Sequence, residues 1–151
     1  MEFSVSNVNK FIMFKLPSAY ISGVRLTEVS DDKAIASVKH KWINQNPFKS
    51  MYWATQGMAS ELATGILLMK GVDNSQHKLS TLVTAQTGEF YKKATGRITF
   101  ICDDGDKINS IIARAIKTKE GQKVLLTATG YNEDREVVSY FTYTWSIKLR
   151  S

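Results

Sequence analysis

Glu61 is the one charged residue between Ser50 and Met69. That stretch reads as a helix from Met51 to about Lys70, with Ser50 as its N-cap and Gly71 closing it. Helical neighbours three and four positions away share a face. For Glu61 these are Ala54, Gly57, Met58, Thr64, Gly65 and Leu68, small or apolar apart from Thr64. The wetter face then carries Gln56, Ser60, Ala63 and Lys70. A carboxylate turned inward is costly unless paired, hydrogen-bonded or protonated. Burial raises its pKa and prepares it as an acid or base near neutral pH. A place at the helix edge, or a structural hydrogen bond, accounts for the same pattern without chemistry.

The loop before this helix, Ile43 to Ser50, is rich in Asn, Gln and Pro. A helix start presents unpaired N–H groups and partial positive charge, which can hold a developing oxyanion. Asn46 precedes Pro47 and can add a donor. An ordinary Asn-Pro turn followed by a serine cap explains these residues equally well. Other chemistries have less footing. His40 and His77 lie far apart with no acidic companion at a metal-binding spacing, so no metal is expected. There is no GxSxG, P-loop or GxGxxG pattern. Cys102, the only cysteine, precedes Asp103 and Asp104, a neighbourhood that raises a thiol pKa and leaves it inert.

The elements that must position these groups follow from periodicity and punctuation. Residues 7–15 form a short amphipathic helix stopped by Pro17. Gly23 to Val29 and Lys33 to Trp42 read as a hairpin turned at Ser30-Asp31-Asp32. Gly57 and Gly65 are unfavourable in a helix interior and imply close approach of another backbone. After the central helix come strands at Leu79–Tyr91 and Gly96–Cys102. Residues 107–117 carry isoleucines at helical spacing, although such a run also suits a strand. Lys123–Tyr131 and Val137–Leu149 flank a polar turn. Tyr140, Phe141, Tyr143 and Trp145 in the last strand suit sheet packing better than base stacking. Strands and helices are segregated, which predicts an α+β fold with an antiparallel sheet of about five to six strands around one long helix.

With 151 residues, 43% hydrophobic and 23% charged, the chain has the composition of a single ordered domain, residues 1–151, and disorder is excluded. The net charge of +6 is dispersed, with no basic run longer than Lys92-Lys93. Nucleic-acid binders concentrate such charge, so no nucleic acid is expected as partner; a phosphate-bearing small molecule suits it better. No secretory signal or membrane-inserting span is recognisable, and one cysteine admits no internal disulfide, so a reducing cytoplasm is the expected location.

The run Asn46-Pro47-Phe48-Lys49-Ser50-Met51-Tyr52-Trp53-Ala54, with Gln56-Gly57-Met58-Ala59-Ser60-Glu61-Leu62-Ala63 after it, resembles the hotdog-fold thioesterase superfamily. It looks closest to an uncharacterised branch, a domain of unknown function with an N-P-F-x-S-M-Y-like loop. Phenylacetate-pathway-type acyl-CoA thioesterases carry an Asn, then His-Gly-Gly six residues on, then an acidic residue nine after the His. Asn46 and Glu61 keep that spacing, while Tyr52, Trp53 and Ala54 stand where the His and the glycines would be. The resemblance implies a homodimer or homotetramer with sheets joined edge to edge and long helices facing each other. It further implies a site at that interface. Glu61 would activate water or attack the thioester carbonyl. Amides near Tyr52 and Trp53 would hold the oxyanion, Asn46 would orient substrate or water, and Met58 would line the acyl chain. Lys92, Lys93 and Arg97 would meet coenzyme A phosphates. No cofactor is implied, since the coenzyme A thioester is substrate. The same fold is compatible with a non-catalytic acyl or acyl-CoA binding protein, and with hydratase or dehydratase chemistry, which usually uses a His absent from this loop.

Overall fold

The computed structural model describes residues 1–151. α1 (Val5–Lys15) begins at Ser4, whose hydroxyl accepts the Asn7 N–H at 3.1 Å. It ends before Pro17, which opens a five-residue helix, α2 (Pro17–Ile21), not foreseen from the sequence. Proline suits a first helical position because its missing N–H would have no partner there. The hairpin forms as expected, with shorter strands: β1 (Arg25–Val29) and β2 (Ala34–Lys39). Beyond Lys39 the chain leaves the sheet. Asn44 donates to the carbonyls of Ser22 and Lys39, 2.9 Å each, and folds Trp42–Asn44 into a single 3-10 turn.

The central helix, α3, runs Trp53–Ser75, shifted toward the C-terminus of the expected span. Ser50 does not cap it. Tyr52 holds that position and makes no side-chain capping bond. Nor does Gly71 close it; the helix continues to Gln76, which takes the left-handed conformation at φ 62°. Gly71 is instead where α4 (Gly105–Thr118) packs in. A Cβ there would lie 2.7 Å from Ile108 Cγ2 and 3.1 Å from Ile112 Cδ1. The isoleucine-rich run is therefore helix, with Ile108, Ile112 and Ala115 buried on one face. β3 (Leu79–Phe90), β4 (Arg97–Cys102), β5 (Gln122–Tyr131) and β6 (Val137–Leu149) fall within a residue or two of expectation.

The strands form one antiparallel sheet in the order β1-β2-β4-β5-β6-β3. α3 lies against it, and Leu62, Ile66 and Leu67 join Phe100, Leu126, Phe141 and Ile147 in the core. This is the hotdog arrangement. The β6 aromatics do pack, and two of them also fasten the helix. Tyr143 Oη pairs with Ser60 Oγ at 2.7 Å and donates to the Gly57 carbonyl at 3.0 Å. Trp145 Nε1 donates to Thr64 Oγ1 at 3.1 Å.

These bonds correct the reading of the helix faces. Gln56, Ser60 and Ala63, taken as the wetter side, are buried; Ala54, Gly57, Met58 and Glu61 are half-exposed. A serine or threonine tolerates the sheet-facing side when a partner there supplies its hydrogen bond. Neither glycine meets the backbone expected beside it: at Gly65 the close neighbour is a side chain, a Cβ standing 3.4 Å from the Trp145 ring, and Gly57 has nothing within 4 Å.

Candidate functional site

The loop before α3 is organised by Asn46. Its Oδ1 accepts from the N–H of Phe48 at 2.8 Å and of Ser50 at 3.2 Å. Its Nδ2 donates to Ser50 Oγ at 3.0 Å and the Met51 carbonyl at 3.2 Å. Both ends of this carboxamide are thus engaged in the loop. Ser50, expected as the helix cap, is buried as its partner. Lys49 takes a left-handed φ of 62° to close the turn.

The loop delivers the start of α3 to a cavity of about 530 Å³, walled by Asn46 and its loop, by Tyr52, Trp53 and Gln56, and by the segment from Phe90 to Ala94. The Tyr52 amide donates to the Asn44 carbonyl at 2.8 Å and so is not free for substrate. The amides of Trp53 and Ala54 have no partner. They stand at the positive end of a 23-residue helix that no side chain caps. The Tyr52 and Trp53 rings meet edge to face, 6.0 Å between centroids, and both are substantially exposed. Lys92 and Lys93 reach the cavity. Lys92 is paired with Glu136, and Lys93 donates to the Phe48 carbonyl at 3.0 Å. Arg97 is not part of this wall; its guanidinium donates to Ser37 at 3.2 Å.

Gln56 is the residue that the sequence reading missed, having placed it on the solvent side. It is 4% exposed and lines this cavity. Its Oε1 is sealed from solvent without a hydrogen-bond partner. The signal was available, because Gln56, Ser60 and Ala63 fall on one helical stripe with Leu67, and that stripe packs on the sheet.

Glu61 occupies a different recess, about 330 Å³, roofed by the corner between α1 and α2 (Lys15 to Ala19) and shared with Met58. One carboxylate oxygen lies 3.3 Å from where a Gly65 Cβ would be, so glycine makes the room it occupies. Glu61 has no ion pair, and no hydrogen bond reaches its carboxylate. Burial without a partner raises its pKa above the ordinary carboxylate value. Eight residues separate Trp53 from Glu61, about 12 Å along a helix rising 1.5 Å per residue. The chain therefore brings Asn46, Tyr52 and Trp53 to one cavity and Glu61 with Met58 to another.

The remaining candidates stay apart from both. His77 lies beside a third cavity, about 640 Å³, between α1 and the C-terminal end of α3. No three His, Cys, Asp or Glu side chains are grouped closely enough to hold a metal ion. Cys102 is buried, and burial pushes its thiol up to about 12. No helix is long and apolar enough to cross a membrane.

The fold recurs in solved structures. A protein of unknown function from Pseudomonas aeruginosa, described as a probable thioesterase, superposes with a TM-score of 0.83 at 18% identity over 96% of each chain. A thioesterase from Haemophilus influenzae gives 0.74 at 10% identity, over 99% of this chain and 93% of its own. A thioesterase from Staphylococcus aureus, in a glutamine-to-alanine mutant, gives 0.67 at 13% identity over 87% and 98%. No curated protein matches the chain in sequence. One family model matches residues 6–147, nearly the whole chain. The chain belongs to that family, described as a domain of unknown function (DUF4442), and has the hotdog fold of those solved structures.

Proposed function

We propose that this protein hydrolyses acyl-CoA thioesters as a homodimer, or as a homotetramer built from such dimers, with Glu61 as the general base. The observation that carries this reading is the Glu61 carboxylate, half-buried, unpartnered and raised in pKa, in a fold shared with thioesterases. A structural carboxylate at such a place would have a hydrogen bond or ion pair; this one is available to water.

Glu61 and the free Trp53 and Ala54 amides are too far apart in one chain to act on one carbonyl. A second copy, joined along β3 with its α3 facing this one, supplies the missing half. The Trp53 and Ala54 amides of one subunit hold the carbonyl oxygen, and the carboxylate comes from the other. Glu61 takes a proton from water as the water oxygen bonds to the carbonyl carbon. The tetrahedral oxyanion then collapses, the carbon–sulfur bond breaks, and the proton passes to the departing thiolate. Acid and thiol are the products. Attack by the carboxylate itself, through an anhydride that water then opens, ends in the same place. Asn46 acts by holding the loop that aims the helix start. Met58 lines the acyl path beside Glu61, and Lys92 and Lys93 lie where coenzyme A phosphates would leave the cavity. No cofactor takes part.

Spacing supports the pairing of Asn46 with Glu61. The Staphylococcus protein has been solved with a glutamine and with a glutamate replaced by alanine, and those two positions are fifteen apart, as Asn46 and Glu61 are here.

The rival is a non-catalytic acyl or acyl-CoA binder in the same fold. It is favoured by the Tyr52 and Trp53 rings, bulky where the resemblance expects His and glycine. A thiol-release assay with short, medium, long and aromatic acyl-CoAs, run beside Glu61→Gln, separates the two. Turnover lost in the variant is the expected result. Equal silence of both proteins, with tight binding of the same panel, establishes the binder.

A further inference from the structure

The cavity at the start of α3 is lined by two carboxamides in opposite states. Asn46 has both ends bonded inside its own loop. Gln56 has neither end bonded. Its Oε1 is shut away without a partner, while its Nε2, also without a protein partner, is the end left open to the cavity. Gln56 stands one turn beyond Tyr52, three residues from Trp53, about 4.5 Å along the helix. Two residues that line this space thus carry unpartnered donors: Trp53 with its amide and Gln56 with its side chain. With Oε1 turned into the protein and Nε2 left as the open end, the group that Gln56 offers a ligand is a donor, and an acceptor oxygen is what it would meet.

We propose that Gln56 is the carboxamide that meets the substrate, its Nε2 donating to the thioester carbonyl oxygen beside the Trp53 amide. This rests on the thioesterase reading and adds a residue to it. The position that the resemblance assigns to substrate, Asn46, has its donors occupied, and the free donor lies ten residues later. A donor that strengthens as charge develops on oxygen acts mainly on the chemical step.

The test uses the full chain with Gln56→Met and, as a second variant, Gln56→Glu, which keeps the shape and removes the donor. Removing an unsatisfied buried amide leaves Tm unchanged or raised in Gln56→Met. With hexanoyl-CoA, kcat falls by about ten- to a hundredfold while KM stays within about threefold. Calorimetry then compares two inert probes: 2-oxoheptyl-CoA, which keeps a carbonyl, and hexyl-CoA thioether, which has none. Wild type is expected to bind the ketone about tenfold more tightly, and Gln56→Met to lose that preference without losing the thioether. Variants that hydrolyse hexanoyl-CoA at the wild-type kcat overturn the assignment and leave the thioesterase reading intact. If no protein turns over but the ketone preference is present and lost with Gln56, the thioesterase reading fails and the recognition role of Gln56 stands. A wild type that binds ketone and thioether equally overturns the assignment.

Discussion

The two edges of the sheet are treated in opposite ways. β1 is five residues long and bulged between Leu26 and Glu28. Asn9 of α1 covers it, accepting the Leu26 N–H at 2.8 Å and donating to the Leu26 carbonyl at 2.9 Å. β3 is twelve residues long and pairs along its length with β6, but its other side meets nothing. Leu82 is 66% exposed there, and every residue from Thr84 to Phe90 is exposed. Proteins guard long edges, because a row of unpaired N–H and C=O groups recruits another strand. One edge of this sheet carries such guards and the other does not. The open edge follows the helix that bears both halves of the proposed site, so joining two copies there serves pairing and chemistry together.

The comparison breaks first at β3. Leu82→Lys with Gln86→Lys places charge on the open edge. It is expected to give monomers in light scattering, with turnover at background and Tm little changed. Thr27→Lys on the guarded edge should alter neither. A dimeric, active double variant would remove β3 from the interface. Next in size is Glu61→Gln, expected to lower kcat by about 10²- to 10⁴-fold while the dimer persists. Third is the guard itself. Asn9→Ala leaves the Leu26 N–H and carbonyl without their partner, costing about 1–3 kcal/mol in urea unfolding with no change in association or turnover.

Two smaller effects sharpen the picture. The folded-state pKa of Glu61 is raised, so the native protein holds its proton to higher pH than the unfolded chain does. Stability then falls as pH rises from the unfolded pKa through the folded one, and is flat above. Glu61→Gln should therefore raise Tm at neutral pH and lose that advantage below about pH 4. Gly57 lies on the half-exposed stripe of α3 with open space around it. Gly57→Ala should stabilise an isolated chain by about 1 kcal/mol through helix propensity. If that stripe faces a second α3, sedimentation should also show weaker association.

Most of the fold was legible because its signals are local. The turn at Ser30-Asp31-Asp32, the alternation of β6 and the isoleucine spacing of α4 each act within a few residues. The limits of α3 were less legible. Ser50 and Gly71 have the chemistry of a cap and a stop, yet Ser50 is held by Asn46 and Gly71 by the approach of α4. Of the candidate site, Glu61 and the loop could be named from the sequence. The state of the two carboxamides could not, because whether an amide is free depends on what every neighbour does.

The sequence by itself determined the order of elements, the lone carboxylate on α3 and the spacing from Asn46 to Glu61, since these rest on residue type and on the 3.6- and 2-residue periods. Only the tertiary structure decided which face of α3 meets the sheet. That choice rests on Tyr143 and Trp145, more than eighty residues away, which give Ser60 and Thr64 their hydrogen bonds. It turned Gln56 inward without a partner and left Glu61 half-covered under α1 and α2. The physical reason is that periodicity fixes which residues share a face, while the direction of that face is set by partners that only the folded chain brings together.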